Sequence, residues 1–119
     1  MVDNRQLHQA LQRYAQDPAE IHYKDVLAEL WDSDVLVFEE EPTGSPSLIG
    51  NETALYLPVF SSLEQLHALF AENPGRDITF RAALKMAEEC GQQVQGIALD
   101  PAGDVFVLPR EAFEYTKTL

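Results

Sequence analysis

Residues 56–70 read YLPVFSSLEQLHALF, and the two serines at the centre decide how this part of the chain folds. Before them, Tyr56-Leu57-Pro58-Val59-Phe60 is an apolar run of strand length. After them, Leu63, Leu66, Leu69 and Phe70 recur at helical spacing. A strand followed by a helix through a serine is where hydrolases of the G-x-S-x-G type hold a nucleophile. That elbow is strained and crowded, and it needs glycine on both sides. Here the neighbours are Val59-Phe60 and Leu63-Glu64, and no motif supplies a histidine and an acid. Ser62 instead precedes Gln65 by three residues, which is the spacing of a capping box. The stretch therefore reads as strand, cap and helix.

Working outward, Asp3 and Gln6 give a first helix start, with Leu7, Ala10, Leu11 and Tyr14 on one face. Asp17-Pro18-Ala19-Glu20 repeats the signal and predicts a second helix from about Pro18 to Trp31, with Tyr23, Val26, Leu27 and Leu30 inward. Asp34 to Phe38 is a β-rich apolar run expected to be buried on both faces. Residues 39–53 hold two prolines, two glycines and three consecutive acids, predicting an exposed, mobile loop. Ala54 to Phe60 is the next strand, and Pro58 places it at an edge or a strand end. Asn73-Pro74-Gly75 stops the third helix. A short strand at Asp77-Ile78-Thr79 follows, then a helix with Phe80, Ala83, Leu84 and Ala87 inward, ending at Cys90-Gly91. Val94–Leu99 and Asp104–Leu108 are strands joined by Asp100-Pro101-Ala102-Gly103, which fits a type I turn, so they form an antiparallel hairpin. Pro109 opens a last helix running to about Lys117. Helices and strands mix without regular alternation. The expected class is α+β: one domain over 1–119, two N-terminal helices (3–31), and a mixed, mostly antiparallel sheet with about five helices around it.

With 45% hydrophobic and 24% charged residues, the composition is that of a globular protein. No stretch reaches the roughly 18 apolar residues of a membrane helix, and the start lacks a signal peptide's apolar core, so a cytoplasmic protein is expected. Charge is the outlier. Twenty acids against eight bases give −12, and from Asp25 to Gly75 ten acids occur without a single Lys or Arg. Such a field repels nucleic-acid phosphates and anionic lipid and favours a basic protein surface. Asp32, Asp34, Glu39, Glu40, Glu41 and Glu52 are the candidate partner-binding residues.

No catalytic, metal or cofactor site is expected. The histidines at 8, 22 and 67 have no ligand spacing. Asp32, Asp34 and Glu39–Glu41 lack an EF-hand pattern, and no glycine turn matches a P-loop. Cys90, at a helix C-terminus behind Glu88 and Glu89, is disfavoured as a thiolate.

Pro58-Val59-Phe60-Ser61-Ser62-Leu63-Glu64, Asp100-Pro101, and Phe106-Val107-Leu108-Pro109-Arg110-Glu111 together resemble the N-terminal domain of the SseB (enhanced serine sensitivity) family. Leu11 and Tyr14-Ala15 ahead of Asp17-Pro18-Ala19 extend the likeness over nearly the whole chain. It departs from the family at Asp100, where Asn is common; larger members of the family carry a second domain, and no function seated there is expected of these 119 residues. The resemblance implies a bacterial cytoplasmic α+β module with a link to type III secretion and no established catalytic residues. Four functions are weighed. The first is a non-catalytic interaction or regulatory module meeting a basic partner. The second is a small acidic secretion-type chaperone, compatible with a homodimer, whose apolar contacts would include Trp31, Tyr56 or Phe70. The others are a hydrolase or transferase using Ser61 or Ser62 with His67, and a nucleic-acid mimic.

Overall fold

A computed structural model describes residues 4–38, 48–50, 54–91, 93–103 and 105–118. Two helices open the chain, α1 (Arg5–Gln16) and α2 (Glu20–Trp31). The inward residues are those the spacing predicts: Leu7 and Ala10 on α1, Val26, Leu27 and Leu30 on α2, with Leu11, Tyr14 and Tyr23 packed at the margin of the core. Asp3 lies outside the described residues. The start of α2 differs from expectation. Asp17 is extended and its N–H closes α1 onto Arg13, so Ala19 takes the cap position and Glu20 begins the helix.

The strands are β1 (Asp34–Val37), β2 (Ile49–Gly50), β3 (Leu55–Val59), β4 (Arg76–Thr79), β5 (Val94–Leu99) and β6 (Phe106–Pro109). Between them lie α3 (Leu63–Leu69) and α4 (Phe80–Glu89); a 3-10 turn at Arg110–Ala112 and α5 (Phe113–Thr116) end the chain. Ser62 caps α3 as predicted, its Oγ accepting from the Gln65 N–H at 3.2 Å. Four strands form a sheet in the order β2-β3-β5-β6, and β1 pairs with β4. A bridge between Leu36 and Phe60 ties the two sheets together. The class is α+β, and every pairing is antiparallel except β3 with β5. That parallel pair arises because the chain leaves β3, crosses over through α3, β4 and α4, and re-enters as β5.

Two details correct the sequence reading. Ile49–Gly50 lies inside the segment read as a mobile loop yet pairs as β2; residues 39–47 and 51–53 lie outside the described ones. Pro58 lies one residue from the end of its strand, as one of the two expected placements has it, but that strand is interior and not an edge. The proline is tolerated because β2 reaches only Leu55 and Tyr56. The Phe60 N–H, two residues on and pointing to the same side, donates to Leu36. The nitrogen of Pro58 thus faces the gap between β2 and β1, where no ladder bond is lost.

Leu57, Val59, Ile97, Leu99, Phe106 and Leu108 form one sheet face and share a core with Phe80, Ala83, Leu84 and Ala87 of α4 and the inner faces of α1 and α2. A smaller cluster, Leu36, Phe60 and Leu66 with Phe70, packs under α3. Gly75 lets the chain turn back beneath it: its φ is +73°, and an added Cβ would meet Leu66 Cδ2 at 2.7 Å. Gly75→Ala is therefore expected to cost about 1–2 kcal/mol in urea unfolding. An unchanged midpoint would show that the turn relaxes freely.

Candidate functional site

The parallel pairing has a chemical consequence at its carboxyl end. Val59 and Leu99 are in register as the last residues of their strands. The Asp100 N–H donates to the Val59 carbonyl (2.9 Å), which keeps Asp100 beside the chain leaving β3. Its carboxylate then extends the ladder. Oδ1 accepts from the Ser61 N–H at 2.8 Å, and Oδ2 from the Ser61 hydroxyl at 2.6 Å. Asp100 adopts φ 53°, a left-handed conformation that Asp tolerates, and its carbonyl accepts from the Gly103 N–H to close the predicted turn.

Two residues of the first helical segment complete the cluster. His8 Nε2 lies 2.7 Å from Ser61 Oγ. The Ser61 proton is committed to Asp100, so His8 is the donor. Asn4 Nδ2 donates to the carbonyls of Ser61 and Asp34, each at 2.9 Å. Ser61 is 1% exposed, and its amide, hydroxyl and carbonyl all have partners. One residue thus fastens the start of α1, the start of β1 and the ends of β3 and β5 together. Burial pushes the Asp100 carboxyl above its ordinary value, offset in part by the two Ser61 bonds and by His8.

His8, Ser61 and Asp100 are the residue types of a hydrolytic triad in a different order. A triad needs histidine between the serine and the acid, so that the ring takes the hydroxyl proton. Here serine stands between, and its proton points at the carboxylate. His67, the base considered from sequence, donates from Nε2 to the Asn73 carbonyl (2.8 Å) instead.

Above the cluster, α1, the start of α3 and the β5–β6 turn enclose a groove of about 750 Å³, lined by His8, Leu11, Glu64, Asp100, Val105 and Phe106 among others. Ser62 reaches this groove; Ser61 does not line it. A second groove, about 620 Å³, runs between α1 and the end of α2 and is lined by Arg5, Glu29, Asp32 and Asp34 among others. The carboxylate of Asp32 is answered by Arg81 Nη2 at 3.2 Å, and the Arg81 guanidinium stacks 4.7 Å from the Trp31 ring centre. Glu39, Glu40, Glu41 and Glu52 lie outside the described residues. Among the described residues no group of three His, Cys, Asp or Glu side chains could hold a metal ion. Burial raises the Cys90 thiol, keeping it protonated at neutral pH. No described helix is long and apolar enough to cross a membrane.

Trp31, Tyr56 and Phe70 are all half-buried. Trp31 packs on the main core, and Phe70 on the small cluster and against the Phe38 ring at 4.6 Å. The large apolar side chains that do face solvent include Val105, Val107 and Tyr115, together with Leu63 and Leu69, which helical spacing placed on the apolar face of α3 but which flank the buried Leu66 instead.

The last cluster involves Arg110. Its Nε donates to the Val94 carbonyl (2.7 Å), and Nη2 to those of Ala87 (3.1 Å) and Gly91. It thereby closes the C-terminus of α4 onto the start of β5.

The chain matches the SseB protein N-terminal domain over residues 7–114, and it belongs to that family. No curated protein and no solved structure matches it. The stretches that carry the family likeness meet in space: Ser61 from one is bonded to Asp100 from another, and Arg110 from the third fastens α4 to β5.

Proposed function

We propose that this domain is a non-catalytic protein-interaction or regulatory module that meets a basic protein partner through its acidic surface. The observation that carries the reading is the disposition of charge. Ten acids and no base occupy Asp25 to Gly75. Several cations elsewhere are already engaged: Arg81 with Asp32, Lys24 with Glu20, Lys117 with Glu88 and Glu114, and Arg110 with three backbone carbonyls. Of those ten acids, Asp25, Asp32, Asp34, Glu64 and Glu72 are exposed, at a cost in self-repulsion that a basic partner relieves. The internal use of Ser61, Asp100 and His8 supports the non-catalytic part of the reading. A cytoplasmic setting and a secretion link belong to the same proposal.

The test is capture of partners from native lysate at increasing ionic strength. Raising salt from about 20 mM to about 150 mM should weaken capture roughly tenfold, and Glu39→Lys/Glu40→Lys/Glu41→Lys should weaken it at low salt. Capture indifferent to salt would sink the acidic-surface reading.

A secretion-type chaperone is the second reading, favoured by exposed Val105, Val107, Leu63 and Tyr115. It predicts salt-insensitive holding of a denatured client.

A further inference from the structure

We infer that the outer edge of β6, with the groove at its head, is the seat of an extended basic segment of the protein partner. This deepens the interaction reading above and rests on it.

The first observation is the edge itself. In the order β2-β3-β5-β6, β6 is bonded among the described residues to β5 on one side only, which leaves the other side of its backbone as a template for an added strand. Natural edges are blunted by lysine, by proline or by a bulge. Along β6, Phe106-Val107-Leu108 carries no charge, and Pro109 stands only at its end. Val105 and Val107 are 49% and 40% exposed, so an incoming strand would find apolar side chains beside the free backbone.

The second observation is the groove. Val105 and Phe106, at the head of β6, form part of one wall, and Leu11 of α1 forms part of the other. Glu64 and Asp100 supply carboxylates, and no Lys or Arg is among its described lining residues. Each Asp100 oxygen already accepts one bond from Ser61 and has a second lone pair to offer. Apolar walls with carboxylates beside them suit one kind of side chain: an arginine or lysine, whose stem lies along Leu11 and Val105 while its head reaches Glu64 or Asp100. An acidic strand would be repelled. A second copy of this chain would bring −12 to face −12.

The probe is a fluorescent peptide of about eight residues alternating arginine with valine, titrated into the full chain and read by anisotropy and amide NMR. A peptide with glutamate for arginine, and one with a central proline, serve as controls. The arginine peptide should bind and move the amides of Val105 to Leu108 and of Glu64. Glu64→Lys and the proline peptide should each weaken binding roughly tenfold. Affinity unchanged by Glu64→Lys, or shifts gathered around Glu29, Asp32 and Asp34, would overturn the β6 assignment and leave the acidic-interaction reading standing. No binding of the arginine peptide anywhere on the chain at low salt would overturn both.

Discussion

Arg110→Ala should lower the stability of the domain by about 2–4 kcal/mol, read as an earlier midpoint in urea unfolding followed by circular dichroism. Helix α4 ends at Glu89, where the Cys90 and Gly91 N–H groups answer the Met86 and Glu88 carbonyls. Arg110 adds a donor to the Ala87 carbonyl from the far side of the β5–β6 hairpin, and donates as well to the Gly91 and Val94 carbonyls beyond the helix. A cation at a helix C-terminus is also favoured by the helix dipole. Hydrogen bonds from a charged donor contribute about 1.5–3 kcal/mol each, and water re-solvating the half-exposed site returns part of the total. Arg110→Lys keeps the charge, but one ammonium cannot span three carbonyls, so it should recover less than half of the loss. A change of less than about 0.5 kcal/mol in the alanine variant would mean that the cap contributes nothing.

Asp100→Ala should cost a similar amount, about 2–4 kcal/mol, for a different reason. It leaves the Ser61 amide without an acceptor in a site that is 1% exposed, and deprives the hydroxyl of its carboxylate. It also puts alanine at φ 53°. Asp100→Asn should be milder, because the amide oxygen still accepts from the backbone and Asn tolerates the left-handed region.

The two side chains also differ in pH dependence. Burial holds the Asp100 carboxyl above its unfolded value, so the folded chain binds this proton more tightly than the unfolded chain. The corresponding stabilisation is present below the unfolded value and is lost as pH rises through the folded one. The stability of the parent chain relative to Asp100→Asn should therefore rise as pH falls from 7 toward about 4. A relative stability that falls over that range would show that the Ser61 bonds outweigh burial.

Much of this architecture was legible in the sequence. Leu7 and Ala10, Val26 with Leu27 and Leu30, and Phe80 with Ala83, Leu84 and Ala87 are buried as helical spacing predicts. Ser62 caps its helix, and Asp100 to Gly103 closes its turn, because both depend on residues within three positions. What failed was long range. Ser61 and Asp100 are 39 residues apart and meet only because β3 and β5 run parallel across a two-helix crossover, a pairing that no local pattern encodes. His8 lies 53 residues from Ser61, and its lack of ligand spacing in the sequence said nothing of this contact. Asn4 gave no signal in the sequence, yet its side chain bridges the carbonyls of Asp34 in β1 and of Ser61 beyond the end of β3. Arg110, beside Pro109, looked like the opening of the last helix; its reach back to Gly91, 19 residues earlier, left no local signature. The Asp17-Pro18 signal misplaced the start of α2 because Asp17 was already spent closing α1. Of the acidic candidates, Asp32 and Asp34 line one groove with Arg5 and Glu29.

The account stands on Ser61 being a joint of the fold, its hydroxyl shut between Asp100 and His8. The direct measurement is the intact mass of the folded chain after incubation with a fluorophosphonate, a reagent that bonds to activated serines. An unmodified mass is the predicted result, and an adduct mapped to Ser61 would contradict the account.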